Sequence, residues 1–213
     1  SKMANLRKNG KPIDLTTVGI VVNSLPEGKV KASTKVKPRS TSTAVSPKPT
    51  ALAAVATKPL REISVGPDCS GLDTPIIALR EMGLPIKHMF ACDSDPNAKA
   101  FIQANYAPEV FYDDISKRDH SQLPDVDLYV AGFPCQSFSE AGKQRGFNDD
   151  RGTIFYHVLR TLQAKLPAVF ILENVKGLVV LEGGQHLKEV MSHLEQLPNY
   201  SIQWQILNTK DYG

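Results

Sequence analysis

A cysteine stands between a proline and a glutamine in Gly132-Phe133-Pro134-Cys135-Gln136-Ser137-Phe138-Ser139, directly after the apolar run Leu128-Tyr129-Val130-Ala131. A thiol at that place, just past a strand, is a candidate nucleophile at a sheet edge. It attacks carbon only as thiolate, and a free cysteine near pKa ~8.5 is only a few per cent ionised at neutral pH. Backbone amides aimed at the sulfur would raise that fraction. Glu173 follows 38 residues later, in Glu173-Asn174-Val175. It can hand a proton or hydrogen bond to a ring nitrogen if burial favours its protonated form. Upstream, Cys69-Ser70-Gly71-Leu72-Asp73-Thr74-Pro75 reads as a tight turn into a helix N-terminus, suited to the charged end of a nucleoside cofactor. Asp93 lies 22 residues after Gly71, where an acid commonly accepts from ribose hydroxyls. Asp114 can accept from an adenine amino group. Cys69 and Cys92 read as small buried hydrophobes.

The elements that must position these groups start at Glu62. A strand opens with Ile63-Ser64-Val65 and runs toward Cys69. A helix follows from Pro75 to Met82, with Ile76, Leu79 and Met82 facing inward, and Gly83 ends it. The pattern then predicts a strand over 86–92, a helix over 97–105 after Asp93-Ser94-Asp95-Pro96, and strands over 109–112 and 127–131. A helix over 153–165 carries Ile154, Val158, Thr161, Leu162 and Lys165 in one stripe. Pro167 stops it, and the apolar strand 168–172 ends at Glu173. A helix over 185–196 and a strand over 200–207 complete the alternation. Near-continuous apolar strands alternating with helices predict an α/β fold, a doubly wound, mostly parallel Rossmann-like sheet. Ligands of such sheets bind beyond the strand C-termini at the switch point, and every polar signature above sits at a strand C-terminus.

The chain has 213 residues and a net charge of +3 that hides an asymmetry. Residues 1–61 hold 12 Lys+Arg against Asp14 and Glu27, a charge of +10; residues 62–213 hold 13 basic against 20 acidic, a charge of −7. A basic arm on an acidic body suits either polyanion binding or a solvated tether. Within 1–61, Val18-Gly19-Ile20-Val21-Val22 reads as a lone strand. Residues 26–59 are rich in Lys, Pro, Ser, Thr and Ala, and are expected to be disordered linker. Three widely spaced cysteines argue against a disulfide framework and against a CxxC zinc site. The five histidines form no ligand cluster, so no metal is expected. No run approaches the ~20 apolar residues of a membrane span.

Pro134-Cys135-Gln136-Ser137-Phe138-Ser139, with Ala141-Gly142 and Arg151-Gly152-Thr153-Ile154-Phe155 behind it, resembles the catalytic loop of the cytosine-C5 DNA methyltransferases. Glu173-Asn174-Val175 resembles that family's second catalytic motif. Asp93-Ser94-Asp95 is similar to its ribose-binding acid, and Asp114-Ile115 to its adenine-contacting pair. Leu207-Asn208 with Asp211-Tyr212-Gly213 is similar to the run-up to its next motif. The resemblance covers residues 62–213, as the N-terminal part of the family's catalytic domain, and implies a fold built around S-adenosylmethionine.

It implies that Cys135 attacks C6 of a cytosine flipped out of DNA, that Glu173 supports N3, and that C5 takes the methyl group. It places Ser70, Gly71, Leu72, Asp73, Thr74, Asp93, Ser94, Asp114, Ile115 and Pro134 at the cofactor. Gln136, Ser137, Ser139, Asn174 and Arg145 would lie at the substrate, and Gly142 to Arg151 would form a lid. Two departures qualify this. The family's Phe-x-Gly-x-Gly-Gly is here Cys69-Ser70-Gly71-Leu72-Asp73-Thr74, and Asp73 is expected either to pair with the cofactor's ammonium or to repel its carboxylate. Pro67 also removes a ladder donor from a central strand. The sequence stops at Gly213, before the family's Gln-x-Arg-x-Arg segment and target-recognition domain. The resemblance therefore implies little methyl transfer by this chain alone, and a C-terminal segment or complementing subunit as partner. It also implies an intracellular location, nuclear in a eukaryote. The same thiol chemistry would serve cytosine in RNA (tRNA), and the departures are also what a non-catalytic regulatory or DNA-binding remnant would show.

Overall fold

The structure, a computed structural model, describes residues 60–134 and 154–208, with the backbone alone at 181–182 and in three strands nearer the N-terminus. Those three are β1 (Arg7–Lys8), β2 (Lys11–Pro12) and β3 (Thr16–Ser24). Next come β4 (Ile63–Asp68), α1 (Thr74–Glu81), β5 (Ile86–His88), β6 (Phe90–Cys92), α2 (Pro96–Asn105), β7 (Val110–Tyr112) and β8 (Leu128–Gly132). After these come α3 (Ile154–Lys165), β9 (Val169–Val175), α4 (Gly177–Val180), α5 (Gln185–Leu194) and β10 (Tyr200–Asn208).

The main sheet runs β10-β3-β9-β8-β4-β6-β7, with β5 also pairing β4. All pairings among β4 to β9 are parallel; β3 alone runs antiparallel, to β9 on one side and β10 on the other. The chain winds outward from β4 through β6 to β7, then returns to β8 and on to β9. The switch point thus lies between β4 and β8, and the loops after those strands flank it.

One correction concerns the N-terminal region. Val18–Val22, expected as a lone strand, is the centre of β3, which pairs with seven residues of β9 and nine of β10. The sheet therefore crosses the boundary expected at residue 61. Six β-branched residues in Thr16–Ser24 suit a strand paired on both sides. The linker expected over 26–59 lies outside the described residues.

Amphipathic pattern decides which face each element buries. Phe155, Val158, Leu159 and Leu162 of α3 pack with Leu187, Val190 and Leu194 of α5 over Tyr129, Ala131, Phe170 and Leu172 of the central strands. On the opposite face, Val65, Ala91 and Val130 are buried with Ile76 of α1 and Ala98 and Ile102 of α2. Met82, expected inward, is 70% exposed, because α1 ends one residue before it. The strand expected over 86–92 is broken at Met89 into β5 and β6.

That break explains how a central strand tolerates Pro67. Ser64 C=O accepts from Asp127 N on the β8 side, and Val65 C=O accepts from Met89 N on the other. Alternation turns Pro67 to the β5/β6 side, where registered pairs stop at Val65↔His88 and resume at Asp68↔Cys92. The missing donor falls where the ladder is already open.

Gly66 serves a close approach. A Cβ there would sit 2.2 Å from the Phe90 ring, and Phe90 is a buried core residue with nowhere to move. Gly66→Ala is expected to cost about 3 kcal/mol, the upper end for overpacking. A denaturant midpoint that moves by less than about 1 kcal/mol equivalent would contradict this packing.

Candidate active site

Two strand ends bring the sharper motifs together. In β8 and β9 the parallel register sets Gly132 opposite Glu173. A Cβ built on Gly132 would lie 3.3 Å from Glu173 Oε2, so the glycine is what lets the carboxylate lie against β8. Phe133 is buried and Pro134 exposed, so the chain leaves the sheet beside Glu173 in the direction of Cys135. Cys135, Gln136, Ser137, Ser139 and Arg145 themselves lie outside the described residues.

Glu173 is exposed, not buried as its expected role required. Strand β9 continues through Val175, three residues further than the sequence pattern indicated, because its last residues pair with β3. Asn174, expected at the substrate, points the other way and is 3% exposed. Its Nδ2 donates to Phe133 C=O at 2.7 Å, and its Oδ1 accepts from Val175 N at 2.9 Å. The amide therefore clamps the end of β9 to the last residue before Pro134-Cys135. It is a positioning residue.

The loop after β4 is organised by Asp93 and Ser70. Asp93 Oδ2 accepts from Gly71 N at 2.8 Å and its Oδ1 from Asp95 N at 2.9 Å. Gly71 adopts a left-handed φ of 53° with open space around its missing side chain. Leu72 and Thr74 are exposed. Ser70 is not exposed: its hydroxyl donates to Pro67 C=O and accepts from Cys92 N, both at 3.2 Å, cross-linking β4 to β6. It supports the loop.

Asp73 also corrects expectation. It caps α1 in the left-handed region (φ 58°), and its side chain is wholly buried, 3.3 Å from His88 Nε2. Neither carboxylate oxygen of Asp73 has a hydrogen-bond partner of good geometry among the described residues. Asp73 thus faces inward, toward His88. Burial pushes Asp73 up to about 7, and burial pushes His88 down to about 4. The pair holds one proton between them across mildly acidic pH.

The sign follows from the two shifts. The folded state keeps a proton on Asp73 that the unfolded chain releases above about 4, so stability is lost as pH rises toward 7. His88, depressed, costs stability as pH falls from 6.5 to about 4, and the two costs offset in that window. Asp73→Asn is therefore expected to melt above wild type at pH 8, with the gap closing by pH 5. A gap of the same size at both values would contradict the assignment.

At the ends of β6 and β7 a cleft of about 380 Å³ is lined by Ser94, Tyr112, Asp113, Asp114, Lys117 and Arg118. Asp114 Oδ1 accepts from Ser116 N and Oγ at 2.8 and 2.6 Å, and Oδ2 lies 3.2 Å from Lys117 Nζ. The Ser116 bonds, with Lys117 nearby, hold its carboxyl below the usual range, so it stays an acceptor. Ile115 does not line the cleft; its side chain is 4% exposed within the core. Ser94 and Asp114 fit a nucleoside, with Tyr112 offering an aromatic wall and Asp93 the adjoining acid. Among the described residues, no group of three or more His, Cys, Asp or Glu could hold a metal ion.

Beneath this cleft lies a network that sequence reasoning missed. Arg118 makes a bidentate ion pair with Asp68, whose side chain is fully buried, and donates to Thr161 Oγ1 at 3.1 Å. Tyr129 OH donates to Asp68 Oδ2 at 2.5 Å. Burial and the neighbouring Asp68 hold that phenol protonated. The available signal was Asp68 itself, an acid inside an apolar strand that must find a cation. Arg118, in Ser116-Lys117-Arg118-Asp119, has the composition of a solvated turn. Burial, with Asp68 and Asp93 adding, pushes the Cys69 thiol up to about 12, and burial raises Cys92 too. Both are poor nucleophiles.

Comparison with known proteins supplies the remaining observation. The family model described as C-5 cytosine-specific DNA methylase matches residues 69–213. Type II methyltransferase M.NlaIV of Neisseria lactamica is 43% identical over 143 residues, which are 64% of this chain and 34% of that protein. Type II methyltransferase M.NgoBV of Neisseria gonorrhoeae is 42% identical over 143 residues, with the same coverage of 64% and 34%. Among solved structures, the S. pombe Dnmt2 methyltransferase aligns at a TM-score of 0.48 and 23% identity, covering 62% of this chain and 40% of that one. The chain spans about a third of the length of these two Neisseria relatives.

Proposed function

Because the chain belongs to the C-5 cytosine-specific DNA methylase family, we propose that it contributes the cofactor cleft and the nucleophile of an enzyme that methylates C5 of cytosine in DNA. The observation that carries this reading is the parallel pairing of β8 with β9. It sets Glu173 beside Gly132, three residues before Cys135. A carboxyl at the C-terminal end of β9, beside the strand that leads into Pro134-Cys135, with a nucleoside-sized cleft on the far side of the switch point, suits covalent activation of a ring.

The cleft residues Ser94, Asp114 and Tyr112, with Asp93 beside them, would hold S-adenosylmethionine, and the loop Gly71–Leu72 would approach its charged end. When bound there, that cofactor supplies an electrophilic methyl group. Cys135 adds as thiolate to C6 of the flipped base, forming a carbon–sulfur bond and moving electron density to C5. Glu173, in its protonated form, donates its proton to N3 and so stabilises the charge that develops there. After C5 has gained the methyl group, a base takes the C5 proton, the C5–C6 double bond reforms and the thiolate leaves. Asn174 keeps the two motif loops in register throughout. Gln136, Ser137, Ser139 and Arg145 would contact the strand around the flipped base, inside the cell. The segments that read the target sequence would come from a C-terminal continuation or a partner subunit, so this chain alone is expected to transfer little methyl.

The test is incorporation of labelled methyl into cytosine-containing duplex DNA, with tRNA as competitor, by the protein expressed from its full coding sequence. Label in C5 of DNA cytosine supports the reading. Label confined to tRNA moves the substrate to RNA, and no label in either overturns methyl transfer.

A further inference from the structure

The register of β3 adds a residue to this site that no motif contains. In β9 and β3, Gly19 is the cross-strand partner of Glu173, and Gln205 of β10 is the partner of Gly19. On the other flank Gly132 of β8 is the partner of Glu173. One row of the sheet therefore reads Gln205, Gly19, Glu173, Gly132. Residues in one row share a face, with directly opposed Cβ positions ~5 Å apart in antiparallel pairs and neighbouring strands ~4.8 Å apart. Glu173 is thus flanked by two positions that carry no side chain.

Glycine is a costly choice inside a strand, since it loses more entropy than other residues and packs nothing. The cost is marked here because the remainder of Thr17-Val18-Gly19-Ile20-Val21-Val22 is β-branched. On the β8 flank the carboxylate lies close over the glycine, where a Cβ would fall 3.3 Å from Glu173 Oε2, a tight contact. We propose that Gly19 does the same work on the β3 flank. It leaves the β3 flank of Glu173 without a side chain, so that a flat pyrimidine ring can lie against the sheet there. The N-terminal region, through β3, then supplies one wall of the base-binding pocket and excludes bulkier groups from the edge of Glu173. This deepens the methyltransferase reading above and rests on it.

The experiment compares wild type with Gly19→Ala, Gly19→Val and Gln205→Val in the protein expressed from its full coding sequence. Three quantities are measured: covalent trapping rate on a 5-fluorocytosine duplex, S-adenosylhomocysteine affinity by calorimetry, and melting temperature. Valine suits a strand, so β3 is expected to keep its pairing in Gly19→Val. The expected result is a loss of trapping of roughly 10²-fold for Gly19→Val, the scale of a small misplacement at a reacting centre. Gly19→Ala should fall between it and wild type, with Gln205→Val unchanged and cofactor affinity and melting preserved in all three. Trapping by Gly19→Val at the wild-type rate overturns the inference. So does a parallel fall in trapping, cofactor affinity and melting temperature, which would make Gly19 a purely structural residue. A wild type that binds S-adenosylhomocysteine but never traps contradicts the methyltransferase reading, and the assignment of Gly19 with it.

Discussion

Replacing Arg118 with alanine is expected to lower the unfolding free energy by about 3–5 kcal/mol, the cost of stranding one member of a buried ion pair. The partner left behind is Asp68, wholly buried at the end of β4 and then supported, among the described residues, by Tyr129. Because the penalty belongs to the orphaned carboxylate, removing both charges should recover most of it. Asp68→Leu with Arg118→Leu is expected within about 2 kcal/mol of wild type, since apolar pairs of similar volume often replace buried ions at little cost. Urea unfolding of Asp68→Leu, of Arg118→Leu and of the double closes the cycle. A single Arg118→Ala cost under 1 kcal/mol would contradict the network. The consequence for function is local. Asp68 immediately precedes the loop Cys69–Asp73, and Arg118 is one of the residues that line the cleft. Arg118→Ala should therefore weaken S-adenosylhomocysteine binding even where the protein remains folded.

Glu173→Gln has the second large effect, on rate and not on stability. Glutamine keeps the size and acceptor oxygen of glutamate but cannot deliver a proton to N3. Methyl transfer is expected to fall by roughly 10²–10⁴-fold, the range for losing a positioned general acid–base group. Cofactor affinity should stay near wild type, because Glu173 lies in the β3–β8 row and not at the cleft beyond β6 and β7. Equal losses in rate and in cofactor affinity would place Glu173 with the cofactor instead.

What the sequence made legible was what local pattern encodes. The β-α alternation after residue 62 predicts the parallel strands and the switch point, since buried parallel strands must be near-continuously apolar. The strand-end acids Asp93 and Asp114 follow from that frame, while Cys135 and Gln136 lie outside the described residues. What stayed hidden depends on contacts between distant residues. Val18–Val22 carries its own strand signal, yet nothing local says that it inserts antiparallel between β9 and β10. Ser70, Asp73, Ile115 and Asn174 lie within motif-bearing stretches, but their side chains face inward. In each case a neighbouring strand or helix claims them: Cys92 and Pro67, His88, the core, and Phe133. Gly66 and Pro67 look like breakers in a central strand. They become intelligible only once the Phe90 ring and the open ladder at Met89 are seen.

On the proposed reading, Cys135 forms a covalent bond to C6 of cytosine while Glu173 supports N3. Fluorine at C5 cannot be removed as the proton is, so a 5-fluorocytosine duplex holds the carbon–sulfur bond after methyl transfer. The protein expressed from its full coding sequence, incubated with that duplex and S-adenosylmethionine, is predicted to give a denaturation-resistant protein–DNA adduct whose peptide map places the bond on Cys135. Cys135→Ser should give none. An adduct that persists in Cys135→Ser, or a wild type that gives none while binding both DNA and cofactor, would contradict the account.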